Sequence, residues 1–345
     1  MKTIFVVDDN DTNLMTAKTA LDGVYKVFAL PSAAKMFKLA ERITPDLILL
    51  DVDMPEMDGF EAMSALKSDN KLKTIPVIFL TARNDAETEI RGFEMGALDF
   101  MNKPFSPPVL IKRIEMHIEM DKTIKKSKLA VRSVHNATIS VIADLVESRD
   151  KVTGGHIERT QRYIELLLNE LIRTKIYAEE TSKLDIDLLL PSAQLHDVGK
   201  ISISDLVLNK PDKLTDEEFA IIKGHCAEGR RIIDMIMNKT EDDGFLFHAR
   251  RFAYYHHEKW NGTGYPDKLS GLDIPLEGRI MAIADVYDAL VSARPYKKAF
   301  THEEAVEIIK KDSGTHFDPS IVEAFLNIAD DFWVELMSFQ GGKGA

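Results

Sequence analysis

The chain has one cysteine, Cys226, so it forms no internal disulfide, which suits a reducing cytoplasm. It has no excess of basic charge. The formal net charge of -12 argues against a general nucleic-acid or anionic-membrane binder. No apolar run approaches the roughly 18 residues that span a bilayer. The apolar start at 1–7 is cut off by Asp8-Asp9, too early for a signal peptide. There is no internal repeat and no low-complexity segment. These absences imply a cytoplasmic protein with neither a nucleic-acid nor a membrane partner. What is present is 45% hydrophobic and 29% charged, the balance of a globular protein, and 345 residues suit two domains.

The first third alternates short apolar runs with amphipathic stretches. Residues 4–7, 27–30, 47–50, 77–80 and 99–101 read as strands, and segments such as 32–43, 60–68 and 86–94 carry helical periodicity. This pattern predicts a doubly wound, five-stranded parallel α/β sheet of flavodoxin-like type, whose ligands sit at the carboxyl ends of the strands. Asp8 and Asp9 follow the first strand, Asp51 ends the third, Thr81 ends the fourth and Lys103 follows the fifth. Clustered carboxylates hold Mg²⁺, and a cation there offsets the charge that blocks attack on a phosphoryl donor. Asp51 is placed as the nucleophile, with Thr81 and Lys103 receiving the new phosphate oxygens. Any one of these residues could merely begin a turn; the set together points to phosphoryl transfer.

Beyond Pro107-Pro108 a helical pattern runs through Ile111, Ile114 and Ile118, meets a polar stretch at 121–128, and returns through Val134, Ile139, Ile142 and Val146. It predicts a long helix, open to interruption at 121–128, with heptads too irregular to claim a coiled coil. The basic cluster there reads as a solvated face, since no aromatics interleave it.

From about residue 140 the apolar spacing is helical throughout, which predicts an all-α domain with ligands projecting inward from different helices. The metal-binding residue types in this half are His156, His196-Asp197, His225, His256-His257 and Asp285. His196 and Lys200, four apart, would share one helical face, as would Asp285 and Asp288, three apart. A carboxylate such as Asp197 can bridge two cations, bringing them to roughly 3.5–4 Å, where a water between them becomes a nucleophile towards phosphorus. The imidazole-rich mixture suits Fe, Mn or Zn better than Mg or Ca, with Fe or Mn favoured. His117, His135, His248 and His302 read as ordinary core or surface histidines, and Cys226 as a small buried residue.

Two resemblances follow from particular motifs. Asp51-Val52-Asp53-Met54-Pro55, Asp58-Gly59, Thr81-Ala82 and Lys103-Pro104 resemble a response-regulator receiver domain. That implies Asp51 as the phosphoacceptor and Mg²⁺ among Asp8, Asp9 and the Asp53 main-chain carbonyl. Phe100 would be an aromatic that changes rotamer on activation, or else an ordinary core residue. A histidine kinase is the implied partner. In the second half, His196-Asp197-Val198-Gly199-Lys200 and the run from His256-His257 to Gly264-Tyr265-Pro266 resemble the HD-GYP family over roughly 140–331. Thr153-Gly154-Gly155-His156, Leu208-Asn209-Lys210-Pro211, Arg294-Pro295-Tyr296 and Gly314-Thr315-His316-Phe317-Asp318-Pro319 add to the match.

Members of that family are metal-dependent phosphodiesterases acting on cyclic di-GMP. The resemblance implies one metal on His196, Asp197 and Asp285 with His156 close by, and another on Asp197, His225, His256 and His257. Lys200 would contact the scissile phosphate and, with Asp197, carry the catalysis. Arg294 and Lys297 would grip phosphate, Gly264 and Tyr265 would line the guanine pocket, and Asp150 and Asp288 would contact substrate or support ligands. His316 would be structural. Two departures stand out. Some relatives have a glutamate four residues before this histidine and build a third metal site; Val152 stands there, so two metals are expected and His156 is the weakest of the ligands. The usual Asp-Pro-Tyr-Thr run reads Asp150-Lys151-Val152-Thr153.

The expected organisation is a receiver at 1–120, a helical connector at 121–139, an HD-GYP domain at 140–335 and a flexible tail at 336–345. The expected function is a homodimeric two-component regulator whose output domain hydrolyses cyclic di-GMP to pGpG, with further cleavage to GMP open, under control of Asp51. The rivals are a phosphohydrolase acting on another cyclic dinucleotide or a mononucleotide, a catalytically silent adaptor, and a DNA-binding output.

Overall fold

Strands β1 (Thr3–Val7), β2 (Lys26–Leu30), β3 (Leu47–Asp51), β4 (Val77–Thr81) and β5 (Asp99–Asn102) form one parallel sheet in the order β2-β1-β3-β4-β5. The computed structural model describes residues 1–82, 85–149, 155–241, 244–292 and 299–341, in two compact units, 1–131 and 132–345. Helices α1 (Asp11–Leu21), α2 (Ala33–Ala40), α3 (Gly59–Ser68) and α4 (Ala86–Glu94) connect the strands, and α5 (Pro107–Glu147) follows them. Runs such as Leu47-Ile48-Leu49-Leu50 are apolar at every position because both faces of the sheet are covered. Alternate residues serve opposite faces. Ile4 and Val6 pack with Leu14 and Leu21 of α1 and Leu110 and Ile114 of α5. Phe5 and Val7 pack with Met36 of α2 and with Phe60 and Met63 of α3. The predicted doubly wound sheet is the one observed.

The second unit is helical. Its helices are α6 (His156–Thr174), α7 (Ala178–Thr181), α8 (Ile186–Ser192), α9 (Asp205–Leu208), α10 (Asp216–Lys223), α11 (His225–Met237), α12 (Phe245–Tyr255), α13 (Leu276–Val291), α14 (His302–Lys311), α15 (Pro319–Asn327) and α16 (Ala329–Gly341). α6 buries Ile157, Thr160, Ile164, Leu167, Leu168 and Leu171, one stripe at helical spacing. The stripe packs on Ile280, Ile283 and Tyr287 of α13, on Phe325 and on Phe332. Each large side chain buried there contributes about 1.5–3 kcal/mol. This α6–α13 pair is the frame that carries His156, Asp285 and Asp288.

One expectation left open is resolved here and two are corrected. α5 is one uninterrupted helix through 121–128. The tail expected from 336 begins inside α16, where Phe332 and Leu336, four apart, are both buried against the core. His196 and Lys200 do not share a helical face. Two short 3-10 turns, Ala193–Leu195 and Val198–Ser202, flank His196-Asp197 and break the 3.6-residue register.

Candidate metal centre and receiver pocket

The receiver pocket forms where β1, β3 and β4 end. Asp8 and Thr81 are fully buried and Asp51 nearly so, while Asp9 and Asp53 are exposed. Lys103 Nζ lies 2.6 Å from Asp8 Oδ2 and 2.7 Å from Asp51 Oδ1. Burial, with Asp8 adding to it, raises the Asp51 carboxyl, and Lys103 opposes that shift. Asp8, Asp9 and Asp51 each offer an oxygen close enough to hold one cation. Gly59 explains the Asp58-Gly59 motif: a Cβ there would strike the Asp51 carbonyl oxygen, so α3 approaches β3 only with glycine. Phe100 is turned inward over Gly92, 5.1 Å from the Phe79 ring and 5.2 Å from Phe93.

In the second unit, three buried histidines are oriented by backbone carbonyls. Nδ1–H of His196 donates to Ala193 O at 3.0 Å, that of His225 to Ile222 O at 2.7 Å, and that of His256 to Phe252 O at 2.8 Å. Because a carbonyl only accepts, each ring must carry its proton on Nδ1 and present a lone pair on Nε2. Those lone pairs converge. His225 and His256 Nε2 stand 3.1 Å apart, and Asp197 Oδ1 lies 3.3 Å and 3.7 Å from them. Asp197 Oδ2 lies 3.4 Å from His196 Nε2 and 2.7 Å from Lys200 Nζ.

His196 Nε2 and Asp197 Oδ1 are buried with no hydrogen-bond partner. Facing lone pairs and buried acceptors without donors are costly unless a cation sits among them. The residues therefore fit metal ions in two groups: His225, His256 and His257, and His156, His196 and Asp285, with Asp197 reaching both. The donor chemistry, mostly imidazole, suits a borderline transition metal.

Electrostatics agree. Burial lowers His225, lowers His257 to about 4, and lowers His256 far below the usual range, helped by its histidine neighbours. These rings are neutral at pH 7 and available as ligands. Burial works to raise Asp197, but Lys200 and His196 outweigh it and keep it ionised. His156 behaves differently. Burial opposes its charge, yet the hydrogen bond to Asp288 and the fields of Asp285 and Asp197 raise it to about 9. Without a cation, His156 is thus protonated at pH 7. A cation must displace that proton, so affinity at the site of His156, His196 and Asp285 should rise with pH and level off near 9. Titration calorimetry in buffers of differing ionisation enthalpy should register proton release at pH 7; pH-independent binding would refute this.

Of the two roles expected for Asp288, contact with substrate or support of a ligand, its surroundings fit the second: it is buried, accepting from His156 Nδ1 at 2.8 Å and from Arg159 Nε at 2.6 Å and Arg159 Nη2 at 2.8 Å. It orients His156 as carboxylates commonly orient ligand histidines. Arg159, one turn after His156, was missed by sequence reasoning. Its spacing, three residues after His156 and so on the same side of the helix, was the available signal. Glu258 was also missed: buried, it accepts from the main-chain N–H of Asp267 at 2.7 Å and Leu269 at 3.1 Å, pinning the loop after His257.

Gly264 is required by that same loop, since a Cβ would strike Lys259 N. Tyr265 packs its ring 4.8 Å from His257 and lines a cavity of about 280 Å³ with Lys200, Phe219, Glu147 and Asp285. Cys226 Sγ lies 3.5 Å from His225 Nε2, and burial raises its thiol, so it remains protonated and a poor ligand. Asp150, Arg294 and Lys297, like Val152, lie outside the described residues. The remaining histidines serve the scaffold: His117 meets Asp99, His248 meets Glu277, His302 meets the Tyr287 hydroxyl, His135 lies edge-on to Phe245, and His316 stacks on Phe317.

Gly199 packs the turn carrying Asp197 onto α11, since a Cβ there would enter the His225 carbonyl oxygen. Gly199→Ala should therefore destabilise the second unit by about 1–3 kcal/mol and displace His225. Thermal unfolding checks this, and an unchanged Tm would contradict it.

A strand-end pocket of aspartates and a lysine, followed by a helical domain with convergent imidazoles and carboxylates, defines a signalling protein with a hydrolase-type output. The response regulator receiver domain model matches residues 4–115 and the HD domain model matches 140–321. The chain belongs to the response regulators that join a receiver to an HD domain. It is 38% identical over 339 residues to a probable cyclic di-GMP phosphodiesterase of Vibrio cholerae, covering 94% of this chain and 77% of that protein. It is 34% identical over 344 residues to the cyclic di-GMP phosphodiesterase response regulator RpfG of Xanthomonas campestris, covering 94% and 86%. It is also 38% identical over 202 residues to 3'3'-cGAMP-specific phosphodiesterase 2 of Vibrio cholerae, covering 59% of this chain and 36% of that protein.

Proposed function

We propose that this response regulator hydrolyses cyclic di-GMP to linear pGpG in its HD domain, under control of Asp51 phosphorylation by a histidine kinase. The observation that carries the reading is the convergence of His196, His225 and His256 Nε2 on Asp197, which lines one cavity with Lys200. Two cations, Fe or Mn by donor type, would supply Lewis acidity and an activated water when bound. The chain's own groups do the rest. Lys200 places a cationic point charge where a phosphodiester oxygen gathers negative charge. Tyr265 offers a stacking face, and burial raises its phenol so that it stays a neutral donor. Asp288 and Arg159 hold His156 still. In the reaction, water oxygen bonds to phosphorus, the P–O3′ bond breaks, and the water's proton ends on the departing 3′ oxygen.

The test is turnover of cyclic di-GMP by metal-analysed protein, with products separated by chromatography. pGpG is the expected product, and chelation should abolish it. Metal-replete protein that binds but does not cut would refute the reading. A second reading, hydrolysis of 3′3′-cGAMP, is favoured by the likeness to the cGAMP-specific enzyme; running both substrates side by side decides between them. Mg²⁺ in the receiver pocket, a cytoplasmic location and a homodimer complete the proposal.

A further inference from the structure

Every residue of α5 from Lys122 to His135 is exposed, and a helical stretch held by contacts as few as Arg132 to Asp187 and His135 to Phe245 is marginal in water. Its apolar residues are ordered. Met120, Ile124, Ser127, Val131, Val134, Thr138, Val141 and Leu145 follow one another in alternating steps of four and three, the a/d spacing of a coiled coil. None is charged, while the charged residues between Glu119 and Arg132 all lie off this row. Its six large apolar members are 46% to 67% exposed. A different face of the last turns is already in use, with Ile139, Ala143 and Val146 buried.

We propose that this row is the seam of a parallel, two-stranded coiled coil with a second copy of the chain, an inference that rests on the dimeric reading above. A second copy presents the same row, so every layer meets its like. Ile124, Val131 and Thr138 fill three of the four a positions with β-branched side chains, as parallel pairs prefer, and Leu145 fills the fourth. Each fully buried large apolar side chain removes roughly 60–120 Å² from water. Six from each copy, with the flanking positions, approach the roughly 1,000 Å² of a specific interface. α5 also has the length and mean hydropathy of a membrane-crossing helix, but Arg132, His135, Asn136 and Asp144 interrupt its apolar stretch.

The experiment uses the full chain. Sedimentation velocity gives the oligomeric state, and oxidative cross-linking of Val131→Cys and Leu129→Cys reads the geometry. Native Cys226 is fully buried, so cross-links report the introduced thiols. Leu129 is as exposed as Val131 but lies on the far side of the helix. The expected result is a dimer in which Val131→Cys cross-links at least tenfold faster than Leu129→Cys. Val134→Asp should raise the dimer Kd at least tenfold with unchanged circular dichroism. A dimer that cross-links equally at both positions overturns the seam and leaves the dimer standing. A monomer at tens of micromolar overturns both. Flotation of the monomer with lipid vesicles overturns the seam in favour of a membrane surface.

Discussion

Asp197→Ala is expected to lower phosphodiester turnover by about 10³-fold or more, some 4 kcal/mol of transition-state stabilisation. One carboxylate faces both groups of candidate ligands, with Oδ1 near His225 and His256 and Oδ2 near His196 and Lys200. Removing it would take a candidate ligand from both groups and one anion from beside Lys200. Metal content should fall in parallel, so elemental analysis of the same preparation separates lost binding from lost chemistry. The wild-type carboxyl is held below its usual range. Its contribution to stability is therefore present above the unfolded carboxylate pKa and is lost as pH falls. The variant should show a flatter acid-unfolding profile. Full metal content with undiminished turnover would remove Asp197 from the mechanism.

Asp51→Asn is expected to reduce phosphoryl incorporation from a small donor such as acetyl phosphate to background, about 100-fold or more. Asparagine keeps the volume of the buried side chain but has no nucleophilic oxygen. Lys103, 2.7 Å from Asp51 Oδ1 and 2.6 Å from Asp8 Oδ2, still has Asp8 to pair with, so the receiver should fold normally. Phosphate-affinity gels or intact mass measure incorporation, and turnover before and after the donor measures coupling. Equal labelling of both proteins would mean that another side chain accepts the phosphoryl group.

Much of this was legible in one sequence because it depends on short-range pattern. The sheet follows from apolar runs such as 47–50 bounded by strand-end polar residues, and strand geometry alone sends Asp8, Asp51 and Thr81 to one edge. The metal-binding residue types were visible as histidines and aspartates too polar for the helical stripes around them. Roles that depend on direction were not visible. Asp288 could be placed on the face of Asp285, yet only the packing of α6 on α13 shows that it turns to His156 and Arg159. That Gly264 is demanded by its own loop, pinned by Glu258, shows only in the packing. The His196–Lys200 helix failed because the spacing of two residues does not reveal two 3-10 turns.

The heptad row on α5 is the clearest case of shared authorship. Its alternating steps are written in the chain, but they were hidden among Leu129 and Ile142, apolar residues off the row. Sequence by itself determined the two fold classes, the candidate phosphoacceptor and the set of candidate ligands, because periodicity and residue chemistry are local. The tertiary structure alone decided which nitrogen of each imidazole faces inward, which carboxylate supports rather than binds, and which face of α5 is left in water. Those depend on carbonyls and side chains far apart along the chain, whose directions are set only when the helices pack.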